Sequence, residues 1–409
     1  MNFENRIEIS KEVATPEFWL AKNPGGDEII LSPSEIEQLN SKILAADDYT
    51  ENLLSYPEKI SGADVKAKIR QLTDDVKMYD FKNLFFESGE PVPDENFQSV
   101  KANENLNAVP PVVKIRYAVT THRANIKILP ESSGRFSPPL KYRFDELQAT
   151  AIDPAEGVIV LHESRDEKFF FVQTGNYFGW IEKNNLAFAT RSEFESYVAP
   201  KKFLTVTANK KNISADGKNF LFQQGAKIPL DDSGKIRLPK NSDGRLAEIF
   251  IAPEIDGTVE GYLPCTTNNF IRQAFKFLGD PYGWGGLDDS VDCSAFVADV
   301  YKSMGIKIPR DADRQEFCLP KVADLKNLNR PDQLKKISDA PTGSLLFKPG
   351  HVMLYLGQNS GKPIIIHAAS IKIPGTDERL HKVTVTELNY PGAKMPTIDA
   401  LTRIAFVKS

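Results

Sequence analysis

The period of hydrophobic and polar positions changes along the chain, and each change suggests a different kind of element. Up to about residue 109 the pattern is helical. Ser32-Pro33-Ser34-Glu35 reads as a helix start, with Ser32 as cap, Pro33 in the first position and Glu35 three residues after the cap. Apolar residues follow at Ile36, Leu39, Ile43 and Leu44. A second helical stretch, 65–81, sets Ile69, Leu72, Val76 and Tyr79 on one face. This region carries no chemistry and is read as a structural or lid segment. After a turn-rich linker, Asn105 to Pro111, the texture becomes short β runs at 115–119, 157–161, 169–173 and 179–181. The same texture returns at 203–208, 219–222, 227–230 and 246–252, with turns at Ala215-Asp216-Gly217 and Asp232-Ser233-Gly234. Two consecutive small barrels are the economical reading. From about 266 the pattern is mixed α/β. Thr266 or Thr267 would cap a helix through Phe270, Ala274 and Phe277, which Gly279 would end.

A chain of 409 residues exceeds one ordinary core, which agrees with several domains. Net charge is −4, so the basic footprint of a nucleic-acid binder is missing. No stretch holds the roughly 18 apolar residues of a membrane helix. The N-terminus, MNFENRIEIS, is charged and has no signal-peptide run, so at face value the protein is cytoplasmic. A leader removed beforehand would make it periplasmic or secreted. Three cysteines, Cys265, Cys293 and Cys318, imply no disulfide framework. With no CxxC or HExxH, a structural zinc site is not expected.

The densest signal is Pro281-Tyr282-Gly283-Trp284-Gly285-Gly286, followed by Asp292-Cys293-Ser294-Ala295-Phe296-Val297. Apolar residues at Phe296, Val297, Val300 and Met304, with Gly305 after them, describe an amphipathic helix that begins at Cys293. A helix start carries partial positive charge and spare N–H groups, which favour thiolate over thiol and can hold an oxyanion. A helix-start cysteine alone also fits a buried structural residue. Two of the five histidines change the balance. His351 opens one strand-like run and His367 closes the next. A hairpin centred on Asn359 sets them opposite each other on one face. One histidine would then take the Cys293 proton while the other orients its ring. A register slip of one residue would break the pair.

These residues resemble a known family. PYGWGG, VDCSAFV, Ile308-Pro309-Arg310, Gly343–Phe347, GHVMLYLG and IIHAAS look like the NlpC/P60 cell-wall cysteine peptidases, in the family's order. The resemblance implies an α+β multidomain protein, with a papain-like NlpC/P60 catalytic domain over 265–409. Cys293 would be the nucleophile, His351 the base and His367 the orienting residue. Tyr282 and Ser294 would line the site, and Asp292 would help bind the free amine of a peptide's N-terminal L-alanine. Upstream, 110–200 and 201–264 resemble two SH3-like barrels and 1–109 an N-terminal helical stabilising region. The first barrel would wall off one end of the cleft, with Tyr177 and Asp145 as candidate contacts. The implied substrate is a murein peptide or peptidoglycan, cut between γ-D-glutamate and the diamino acid, with no metal or organic cofactor. Many members carry a serine two residues past the Pro-Arg pair; here that position is Ala312, between Asp311 and Asp313. Two other functions remain open: an acyltransferase or amidase with the same Cys-His-His site, and a non-catalytic peptidoglycan-binding module.

Overall fold

The computed structural model describes residues 9–76, 83–253, 255–373, 375–390 and 396–408. The helix Pro33–Ala46 begins as expected: the Ser32 side chain accepts from Glu35 N–H, and the Glu35 carboxylate accepts from Ser32 N–H at 2.8 Å. The helix Gly62–Val76 buries Val65, Ile69 and Leu72 completely. The expected contribution of Tyr79 falls outside the described residues.

The N-terminal region serves two cores. Val13, Trp19, Leu31, Leu39 and Ile43 pack with Phe270, Phe296 and Val300 of the C-terminal domain. Tyr49, Leu53, Val65, Ile69 and Leu72 pack instead into the β region. The Asn23 amide donates to Thr267 at 2.7 Å, and the Asn40 amide donates to the Gly305 carbonyl at 2.9 Å. The stretch from Val13 to Leu72 therefore ties the C-terminal domain to the β region.

The two β segments share one sheet. Among the described residues it has nine strands, in the order Ile236–Ser242, Arg245–Ile251, Leu186–Ala189, Arg116–Thr120, Gly157–Glu163, Phe169–Gln173, Phe178–Glu182, Ala124–Lys127 and Gln148–Ile152. The join is a parallel contact, Phe188 against Arg245. One apolar core runs from Val119 and Trp180 to Phe220, Ile228 and Leu238. The local β texture foretold five of these strands and missed Ala124–Lys127, Gln148–Ile152, Leu186–Ala189 and Ile236–Ser242, and a join between strands nearly sixty residues apart leaves no local pattern.

The C-terminal domain is built on a sheet of six described strands, in the order Lys321–Asp324, Arg403–Ala405, Leu345–Lys348, His351–Asn359, Lys362–Lys372 and Arg379–Glu387. Side-chain alternation covers both faces. Val352, Leu354 and Ile366 pack against the helices Thr267–Phe275 and Cys293–Lys302. Met353, Tyr355 and Ile365 pack on the other face with Ile337. The first of these helices is capped by Thr266 and ends at Phe275, four residues before Gly279. Among the described residues, no helix is long and apolar enough to cross a membrane.

Candidate active site

Cys293 is the first residue of its helix, as the pattern predicted. Asp292 is the cap: its backbone is extended, and its Oδ1 accepts from Ala295 N–H at 2.8 Å. The same carboxylate is held by Arg310 through Nη2 at 2.6 Å and Nη1 at 3.2 Å, by Gly285 N–H at 3.0 Å and by the Ser294 hydroxyl at 3.1 Å. Arg310 also donates to Ser294 Oγ at 2.8 Å and, from Nε, to Thr150 Oγ1 at 2.7 Å. The two charged side chains are 9% and 6% exposed. Burial works to raise the Asp292 carboxyl, but Arg310 and the surrounding donors outweigh it and hold it below its ordinary value.

This changes the expectation for the thiol. Cys293 is buried, and burial, then the neighbouring Asp292 carboxylate, push it up to about 12. N–H groups of Val352 and Ser294 pull the other way without prevailing. A helix start should favour thiolate, but here the cap carboxylate takes up that partial charge. The resting cysteine is therefore a thiol.

The histidines come together by a different register from the expected one. The strands run through Asn359 and Lys362, and the turn is Ser360-Gly361, both with positive φ. Counted from that turn alone, His351 and His367 would point to opposite faces. An extra residue, Leu356, shifts the register between Tyr355 and Gly357, where Gly357 has φ +130°. Beyond the bulge Leu354 opposes Ile366, and continuing that register sets His351 two residues from direct opposition to His367, on the same face. The expected direct pairing is thus a diagonal one. His351 Nε2 lies 2.8 Å from His367 Nδ1, and His367 Nε2 lies 3.3 Å from Thr386 Oγ1. The Val352 N–H that meets the Cys293 sulfur belongs to the residue after His351. Burial, then the Lys348 ammonium, take His351 down to about 3, and burial and His351 lower His367 as well. Both rings are neutral at rest.

The other expected residues divide. Tyr282 is half-buried, its ring 5.1 Å from that of His381 and 6.1 Å from Phe144. Burial, then Cys293 and Asp292, raise its hydroxyl well above the ordinary value. Ser294 is buried in the Asp292–Arg310 network. Tyr177 is buried, 5.2 Å from the ring of Tyr49 and within electrostatic reach of Arg310. Asp145 does not reach this group as a free carboxylate. It is 1% exposed, pairs with Lys127 at 2.5 Å and accepts from the N–H groups of Arg135 and Leu147. It ties up a turn of the β region. Arg310 had no assigned role in the sequence beyond its place in Ile308-Pro309-Arg310; its signal was a cation directly after Pro309, just before the start of a helix. Asp311 stands at the cap position of the helix Ala312–Cys318, yet its side chain makes no capping bond among the described residues. Burial raises its carboxyl to about 6, Arg310 opposing and Asp313 adding. Among the described residues no group of three or more His, Cys, Asp or Glu side chains gathers to hold a metal ion.

The β region closes one side. Gly285 and Gly286 have φ of +58° and +82°, and a Cβ there would lie 2.6 Å from Gln148 Cγ and 2.8 Å from Ala151 Cβ. Only glycine permits both the turn and the approach. Gln148 donates to the Gly285 carbonyl at 2.9 Å. Beyond Asp311, Arg314 pairs with Asp47 at 2.7 Å and with Asp48, and lies 3.5 Å over the Tyr49 ring.

Residues 279–388 match the NlpC/P60 family model. The C-terminal domain thus contains a segment that matches the NlpC/P60 family. Residues 135–182 match an SH3 domain of SH3b1 type. A dipeptidyl-peptidase 6 of Lysinibacillus sphaericus is 31% identical to this chain over 136 residues, which are 33% of this chain and 44% of the relative. A gamma-D-glutamyl-L-lysine dipeptidyl-peptidase of Bacillus cereus is 26% identical over 231 residues, 53% of this chain and 61% of the relative. The chain thus spans about half the length of the curated relatives it matches. An NlpC/P60 endopeptidase from Photobacterium damselae subsp. piscicida superposes with a TM-score of 0.79 over 98% of both chains at 17% identity, a likeness of fold.

Proposed function

We propose that the protein is a cysteine peptidase that hydrolyses the bond between γ-D-glutamate and a diamino acid in murein peptides with a free N-terminal L-alanine. The observation that carries this reading is the His351–His367 hydrogen bond at the strand end where Val352 N–H meets the Cys293 sulfur. The names of the relatives and the NlpC/P60 match support the substrate class.

The roles follow from the bonds. His351 can act as base only if Nδ1 has a free lone pair. Its Nε2–H then donates to His367 Nδ1, and His367 Nε2–H donates to Thr386 Oγ1. Since thiol and imidazole are both neutral at rest, the Sγ proton passes to His351 as sulfur attacks the γ-carbonyl carbon. Backbone N–H groups at the helix start hold the oxyanion. His351 returns the proton to the departing amine, leaving a thioester on Cys293, and water activated by His351 releases the L-Ala-γ-D-Glu product.

A papain-like catalytic domain over 265–409, SH3-type segments at 110–200 and 201–264, and a helical region over 1–109 complete the proposal. The first SH3-type segment and residues 47–49 close the acyl end of the cleft, which suits a short peptide better than intact wall. The Asp292 carboxylate is already taken by Arg310, so Asp311 is the acid that meets the substrate amine, in the place left by Ala312. To test this, the protein is given L-Ala-γ-D-Glu-meso-diaminopimelate and the freed diamino acid is followed. Wild type is expected to release it and Cys293→Ala to release none. Equal rates in the two would sink the reading, and equal cleavage of an N-acetylated peptide would sink its amine requirement.

A further inference from the structure

Lys348 sits at the end of the strand Leu345–Lys348, directly opposed to His351 across the turn Pro349-Gly350. Side chains of opposed residues share a face of the sheet. Its Nζ lies 5.5 Å from the centre of the Tyr390 ring, and that ring lies 5.3 Å from the ring of His367. The ammonium thus stands in the same layer as the histidine pair, braced on an aromatic face. Its charge bears on His351, on His367 and on the Cys293 thiol. Among the described residues no carboxylate pairs with it. A half-buried ammonium without a counter-ion is unfavourable, so the arrangement calls for an anion supplied from outside the protein.

The position says on which side that anion arrives. His351 returns its proton to the departing amine, so its cross-strand neighbour lies on the leaving side of the scissile bond. The geometry points to Lys348 as the residue that binds a carboxylate of the departing diamino acid. This rests on the peptidase reading above. The carboxylate is either the terminal one or the side-chain one of diaminopimelate; both are absent from a peptide that ends in L-lysinamide. The α-carboxylate of the D-glutamate is present in every such peptide.

Binding is measured by calorimetry on Cys293→Ala protein, with and without Lys348→Met, using three peptides: L-Ala-γ-D-Glu followed by meso-diaminopimelate, L-lysine or L-lysinamide. The ratio of Kd for the lysinamide peptide to Kd for an acid peptide is expected to fall at least about tenfold on Lys348→Met, the worth of one charge-assisted bond. Lys348→Arg should restore most of it. A fall for diaminopimelate alone assigns the side-chain carboxylate; a fall for both acids assigns the terminal one. A ratio that does not change, with all three peptides weakened equally or not at all, overturns the proposal, as does no binding of either acid. Acid peptides that bind through Lys348 but are not cut by wild type would overturn the peptidase reading alone.

Discussion

Two glutamines, one from each β segment, grip the same turn of the NlpC/P60 domain and have different consequences. Gln148 donates to the Gly285 carbonyl at 2.9 Å, and Gln223 donates to the Asp289 carbonyl at 2.8 Å. Gly285 N–H continues to Asp292, Asp292 to Arg310, and Arg310 returns to Thr150, two residues from Gln148. That closed circuit passes through the residue beside Cys293. The N–H of Gln223 leads instead to Asp153, which pairs with Arg123 at 2.8 Å and with Lys302 at 3.6 Å. Lys302 is the last residue of the Cys293 helix, and Gly225 lies against the same last turn. The first β segment therefore fixes the reactive start of the helix and, through Asp153 and Glu156, also holds Lys302 at its far end, where the second segment adds Gly225 and orients Asp153 through Gln223. Similar bonds, made to two points of one turn, lead on to the start of the Cys293 helix in one case and to its far end in the other, which separates positioning of the sulfur from general stability.

The largest break in this contrast is Arg310→Ala. It leaves the Asp292 carboxylate buried without its counter-ion, a loss of about 3–5 kcal/mol. The expected outcome is a marked drop in thermal midpoint together with loss of peptidase activity. Asp292→Asn added to Arg310→Ala should recover much of the stability, since no buried charge then stands alone, without recovering activity. A double variant as unstable as the single one would show that Arg310 acts by packing.

The next effect concerns the acyl end alone. If Asp311 receives the substrate amine as a carboxylate, binding weakens as it is protonated. Its carboxyl is raised to about 6, so KM should rise as pH falls through about 6 and be steady above it. Asp311→Asn is expected to raise KM about tenfold at pH 7.5, the loss of one charged bond, and to flatten that pH dependence. His351, lowered to about 3, contributes no step between pH 5 and 8. A Asp311→Asn protein with an unchanged KM profile would return the amine contact to other residues.

What could be read from the sequence, and what could not, follows the range of the forces involved. The capping box at Ser32, the start of the Cys293 helix at Asp292 and the strand Phe169–Gln173 are set by neighbours within a few residues, and each stands where the pattern put it. The histidine pair was legible in kind and misread in register. The hairpin is centred not on Asn359 but between Ser360 and Gly361, and the bulge at Leu356 restores the shared face. An extra residue in a strand has no compositional mark beyond Gly357. The thiolate expected of a helix start failed because burial, and then the Asp292 carboxylate that is both cap and anion, raise the thiol, which only the folded positions of these groups reveal. Asp145 was named only as a candidate contact of the first barrel; Lys127, eighteen residues away in sequence, takes its carboxylate. The parallel join of Phe188 to Arg245 and the contact of Arg314 with Tyr49 are long-range packing, which no local period reports.

The smallest expected effect is the most direct comparison of the two glutamines. Gln148→Ala and Gln223→Ala each remove side-chain bonds to the same turn, and each should cost about 1 kcal/mol of stability. Their Tm values should therefore lie close together. Activity should separate them. Without Gln148 the Gly285 carbonyl loses its donor, and the Gly285 N–H that meets Asp292 is less well placed, so the cap of the Cys293 helix loosens. Gln148→Ala is expected to lower kcat/KM several-fold at a temperature where the protein is fully folded. Gln223→Ala loosens Asp289, four residues further along and toward the surface, and should leave kcat/KM within about twofold, in line with a loss of general stability alone. Equal losses of activity at equal Tm would mean that the turn transmits strain along its whole length, and that both β segments position the sulfur.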